Sequence, residues 1–244
     1  MAWEIYLFFF FIALVYSSVG FGGGSLYTAV LSQTISAVPQ LRLISLTCNT
    51  VVTGNNLLQY QKSKLIDWKS TWTILSFSIP FCLWSSSFKI DSQTLKVLLA
   101  IFLVLSAVAI ILQSRLQKPM EDAHNDHWVI YPLSAVIGFI SGLTGIGGGI
   151  YFTPLLYLMR WRNEKKIAAF ASAFIAINSI FGIIGQWVFH QQWPSFSWIL
   201  LPFVALAGGW VGSKMGIKIF NFTAVRFTTV GLLLVAAFRL LWKI

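Results

Sequence analysis

The chain has 244 residues, of which 57% are hydrophobic and only 10% charged, with a formal net charge of +10. A soluble domain carries about 25% charged residues, so this composition excludes a water-soluble fold and predicts an all-α polytopic membrane protein in contact with the lipid bilayer. Lys and Arg are scattered over short connections without a recognition motif, which argues against nucleic acid and for anionic headgroups as the partner of the positive charge.

The first apolar run, MAWEIYLFFFFIALVYSS, has no basic leader and no cleavage pattern, so the first helix is expected to be retained. It runs into SSVGFGGGSLYTAVL, starting at Ser17. Three consecutive glycines, each costing about 1 kcal/mol in a helix relative to Ala, predict a break there. Further spans are expected near residues 40–60, 70–88 and 95–113. The polar stretch from Ser114 to His127 then divides the chain into 1–115, a connector at 116–127, and 128–244.

The second half repeats the first. A span at 129–158 carries SGLTGIGGGIYFTPLL, and Gly147, Gly148 and Gly149 stand 125 residues after Gly22, Gly23 and Gly24. Spans near 165–189, 196–219 and 223–242 follow, which makes about eight transmembrane helices in two homologous halves, each with a broken or re-entrant glycine-rich helix. After residue 186 the offset grows to about 130, as one loop insertion would produce. Four spans per half would bring both halves in from the same side, whereas a re-entrant hairpin in each would invert them; the sequence leaves both open. Sorting by alternate sides gathers Arg42, Lys89, Lys96, Arg160, Arg162, Lys165, Lys166, Lys214, Lys218 and Arg226 on one face. That excess predicts both termini outside the cytoplasm.

Paired interruptions at matching positions point to a transporter's substrate site. A half-helix beginning at Ser25, and another after Gly147, would direct backbone N–H groups and the positive dipole end at a small anionic substrate. The second span adds Asn49, Thr53, Asn56 and Tyr60 on one helical stripe, and the sixth adds Ser172, Ser179, Gly182 and Gln186, with Thr47 matching Ser172 by offset. A polar stripe in lipid must face protein or water. The candidate substrate-binding set is therefore Gly22, Gly23, Gly24, Ser25, Thr47, Asn49, Thr53, Asn56, Gly147, Gly148, Gly149, Ser172, Ser179 and Gln186. Asn55 and Asn178 fit interhelical bonding better, and Gly208, Gly212 and Gly216, spaced by four, fit close helix packing. Arg42, Lys165, Lys166 and Lys214 lie nearer the apolar spans, where they would draw anions to an entrance. Cys48 and Cys82 lie in apolar spans and read as reduced packing residues. Hydrolase, zinc and nucleotide motifs are absent, and no cofactor, metal or catalytic group is expected.

At GFGGGSLYTAVL and GIGGGIYFTPLL the chain resembles the TauE/SafE sulfite exporter family, whose halves each carry a G-x-G-G-G segment leading toward a proline. Pro154 completes the second copy, while Ala29 replaces the proline in the first. The resemblance implies a permease for sulfite, an organosulfonate or a related anion. Efflux by alternating access is the expected function; ion-coupled uptake through Ser25 and Thr28, and a non-transporting binding subunit, are the alternatives. A homodimer is a further partner to test.

Overall fold

The computed structural model describes residues 3–115, 128–192, 198–218 and 222–242; the connector expected at 116–127 lies outside them. The described residues form ten helices and no strand: α1 Trp3–Ser17, α2 Gly24–Leu31, α3 Val38–Lys62, α4 Trp68–Ser86, α5 Ser92–Arg115, α6 Ile130–Thr144, α7 Gly149–Leu158, α8 Glu164–His190, α9 Leu200–Lys218 and α10 Phe222–Trp242. Both glycine clusters interrupt helices, as expected.

Polarity runs opposite to that of a soluble protein. Leu7, Phe8, Phe11, Trp72, Phe77, Trp84, Ile101, Leu105, Phe203 and Phe238 are exposed, while Ser45, Asn49, Thr53, Asn56, Ser78, Ser134, Ser172 and Asn178 are fully buried. An apolar exterior around a hydrogen-bonded interior is stable in hydrocarbon. By length and hydropathy alone, Ser92–Leu112 and Glu164–His190 are apolar and long enough to cross a membrane. Helix α3, with 25 residues, is about 37 Å long but misses that mark because its buried stripe is polar.

The centre is the pair α3 and α8. Asn49 meets Ser179, and Gly182 lies against Leu46. Rising numbers on one helix thus meet falling numbers on the other, and the two run antiparallel. Around them, α1 packs along α9, where Gly208 faces the Phe10 carbonyl and Gly212 that of Leu14. Helix α6 packs along α4 in the same manner, with Gly138 on the Ser78 carbonyl and Gly142 on that of Cys82. Glycines four apart let these backbones approach closely, the packing role expected for Gly208 and Gly212. Both contacts cross between the sequence halves and both are parallel. Helix α9 is also parallel to α3, through Val52 on Gly209 and through Asn55 and Gln59 on Ser213. Asn178 accepts from Ser78 Oγ at 2.9 Å, so it and Asn55 bond between helices as expected. Cys48 and Cys82 are buried free thiols.

The breaks are reversals, not kinks. Phe9 stacks on Tyr27 with ring centroids 4.5 Å apart, and Gly23 faces Ile12. Helix α2 therefore folds back beside α1. It runs antiparallel to α3, with Gly24 beside Asn49 and Thr28 beside Ser45. In the second half Gly148 faces Ile137 and Ser141, so α7 returns beside α6 in the same way.

Candidate functional site

Both short helices start on a glycine in the left-handed region, Gly23 at φ 88° and Gly148 at φ 79°. An L side chain there costs about 1 kcal/mol or more, which explains glycine at the turning point. Neither N-cap glycine has a side chain to cap its helix. The Gly23 carbonyl accepts from Leu26 and Tyr27, and the Gly148 carbonyl from Tyr151 and Phe152, fixing the first turns.

The start of α2 and the loop that leads into α7 meet at Asn49. Its Oδ1 accepts from the Gly24 amide at 3.2 Å, and its Nδ2 donates to the Ile146 carbonyl at 2.9 Å and to Ser179 Oγ at 3.0 Å. One buried amide thus joins the first break to the second. Gly147 must be small here, because a Cβ would overlap Asn49 Nδ2 and lie 2.6 Å from Ser179 Oγ. Gly22 presses on Asn49 and Thr53, Gly24 on the Ile146 carbonyl, and Gly149 on Ile175.

The rest of the polar stripe braces the turns. Asn56 accepts from Ser17 Oγ at 2.6 Å and donates to the Phe21 carbonyl at 3.3 Å. Thr53 donates to its own helix at the Asn49 carbonyl, 2.7 Å away, and keeps its methyl under Gly22. On α8, Ser172 Oγ lies 2.8 Å from the Gly20 carbonyl and 3.0 Å from that of Ala168. Gln186 sits apart, near the end of α8, with Nε2 3.4 Å from the Ser86 carbonyl. Thr47 does not join the group. Two residues before Asn49, it turns to another side of α3 and donates to Leu43 at 2.7 Å. Matching Ser172 by offset carried no information about helix face.

Sequence reasoning missed Ser45, which donates to the Gly24 carbonyl at 3.0 Å and lies 2.7 Å from Thr28 Oγ1. Its spacing of four from Asn49 was the available signal. It also missed a set of buried hydroxyls that make no close hydrogen bond: Tyr16, Tyr27, Ser141, Tyr151 and Thr153, together with the expected Ser25. All lie on the two hairpins. Tyr16 and Ser25 lean on each other, Tyr151 on Thr144 and Ser141 on Cys82, whereas Tyr27 and Thr153 have no such neighbour; a buried hydroxyl left unpaired costs about 1–3 kcal/mol. Each described carboxylate, Glu4, Asp67, Asp91 and Glu164, lies at or beside a helix end, away from Asn49. The centre therefore offers amides, hydroxyls and two positive dipole ends without an acid, an arrangement that favours negative charge.

The family described as Sulfite exporter TauE/SafE matches residues 5–240. The chain is 27% identical, over 96% of each sequence, to a probable membrane transporter protein of Sinorhizobium fredii. It is 28% identical to a probable membrane transporter protein of Methanocaldococcus jannaschii, covering 86% of this chain and 83% of the relative. A third relative, the probable membrane transporter protein YunE of Bacillus subtilis, is 25% identical over 83% and 82%. No solved structure matches the chain.

Proposed function

The chain belongs to the sulfite exporter TauE/SafE family of membrane transporters, not enzymes, and on that ground we propose that it exports a small sulfur-containing anion such as sulfite or an organosulfonate. The observation that carries this reading is the junction of the two glycine breaks on Asn49, where Gly24 and Ile146 approach the same side chain. The guest sits against these breaks and the hydroxyls of Ser25 and its neighbours. Gly22 to Gly24 and Gly147 to Gly149 supply the close backbone approach; Asn49, Thr53, Asn56, Ser172 and Ser179 hold the turns in shape.

In this reading the chain is an inverted repeat of two five-helix halves, each opening with a re-entrant hairpin and continuing with three crossings. Antiparallel α3 and α8, and hairpins that enter from opposite ends, support it. Lys62, Lys64, Lys69, Arg160, Arg162, Lys165, Lys166 and Lys214 then share the end facing the cytoplasm, against Arg42, Lys89, Lys96 and Arg239 at the other. Both termini then lie outside, and Arg42, Lys89 and Lys96 exchange sides with Lys62, Lys64 and Lys69 relative to the eight-span sorting.

Transport proceeds as the two hairpins and α3/α8 rock between openings at either end. With the interior negative, each anionic charge gains about 2.3 kcal/mol per 100 mV on leaving, which drives efflux without a coupled ion. Purified protein in liposomes should move sulfite electrogenically under a valinomycin-set potassium potential. Absence of flux would overturn export, and strict dependence on a proton or sodium gradient would overturn the uncoupled mechanism.

A further inference from the structure

Helix α3 carries one more member on its polar stripe. Arg42 lies three residues before Ser45 and seven before Asn49, on the same face. It is 1% exposed. Its Nη1 donates to the Phe88 carbonyl at 3.3 Å, whereas Nε and Nη2 have no hydrogen-bond partner. Among the described residues no carboxylate pairs with it. The stem is held against Gly145, the residue ending α6, where a Cβ would come 2.9 Å from both Cβ and Cγ of Arg42. The antiparallel register that sets Leu46 on Gly182 brings Gln186 to the level of Arg42, and the Gln186 Oε1 is unpartnered too.

A guanidinium stays charged, and an unpaired buried charge costs several kcal/mol. The carbonyl end of α6 offsets only part of this, since a helix terminus carries about half a charge. The planar fork with two idle N–H edges fits an oxyanion. The corresponding break in the first half has nothing similar, because Gly20 meets Ala168 and Ser172 there.

We infer that Arg42 is an anion-binding residue, a charged station at one end of the α3 stripe where the transported oxyanion pairs with Nε and Nη2 before or after it occupies the glycine breaks. This rests on the export reading for the identity of the anion, but the station itself is testable without flux. Thermal midpoints of the purified full-length protein in detergent are measured with sulfite, with sulfate and without either, for wild type, R42Q and R42M. Sulfite or sulfate should raise the wild-type midpoint, and about tenfold more of either should be needed for the same rise in both variants. In liposomes the half-saturating sulfite concentration should rise about tenfold or more in R42Q, the loss of one charge-assisted hydrogen bond. R42M guards against a failure of R42Q to fold, because replacing an unpaired buried charge by an apolar side chain of similar length should leave the anion-free midpoint equal or higher. A wild-type midpoint that rises with either anion, in protein that moves no sulfite, supports the station and sinks the transport reading. Variants that respond to the anions like wild type, a wild type that responds to neither, or an R42M destabilised in anion-free buffer would overturn the assignment.

Discussion

Asn49 spends two of its three hydrogen bonds on the two breaks and the third on Ser179 of α8, which separates it from the other asparagines of α3. Its removal strands a buried amide, a buried carbonyl and the Ser179 hydroxyl together. Asn55 makes one bond between helices, to Ser213 at 3.1 Å. Asn49→Ala should therefore cost about 2 kcal/mol or more, against about 0.6 kcal/mol for Asn55→Ala, read as thermal inactivation in detergent. Equal losses would show that Asn49 is ordinary interhelical bonding. The stripe through Asn49, Thr53 and Asn56 was legible because helical spacing fixes a face. The partners on that face were not: whether Asn56 would meet a guest or the Phe21 carbonyl depends on where a distant turn lies. Ser45 escaped notice because serine in a helix is easily assigned to its own backbone.

The decisive elements are short. Glycine runs announce an interruption, and the sequence located both interruptions between Ser17 and Gly24 and between Thr144 and Gly149. A kink and a reversal need the same residues, however. The return of α2 beside α1 is decided by Phe9 on Tyr27 and Ile12 on Gly23, contacts that exist only after the turn has formed. Helix α4 shows the opposite case, a start fixed locally. Asp67 caps it by accepting from the Ser70 amide at 3.2 Å and the Ser70 hydroxyl at 2.7 Å. The Ser70 hydroxyl, with backbone amides and Arg162 behind it, holds the carboxyl below its ordinary value. A carboxyl with a lowered folded-state pKa stabilises fully above its unfolded value near 4, and the contribution fades as pH falls through the folded value. Asp67→Ala should cost about 1 kcal/mol at pH 7 and much less at pH 3, with Asp67→Asn retaining most of the cap. Thermal unfolding at the two pH values measures this.

At the scale of the whole molecule, helix direction separates the inverted arrangement from a parallel one. Lys89 and Arg160 are exposed and would share a side if the halves ran the same way. The antiparallel α3 and α8 put them at opposite ends. In oriented vesicles, single-cysteine variants K89C and R160C should react with an impermeant maleimide from opposite sides, on a background where Cys48 and Cys82 are buried. Labelling from the same side would refute the inversion. Composition and hydropathy alone established an all-helical membrane protein, because a chain with 10% charged residues has no other stable solvent than lipid. Repeated glycine runs, costly wherever they stand in a helix, likewise marked the breaks without any knowledge of the fold. Only the tertiary structure decided that the breaks are reversals, that they meet on one asparagine, and that Arg42 is buried with its charge unanswered. Those facts belong to contacts between residues far apart in the chain, such as Asn49 with Ile146 and Arg42 with Gly145, and no local periodicity encodes them.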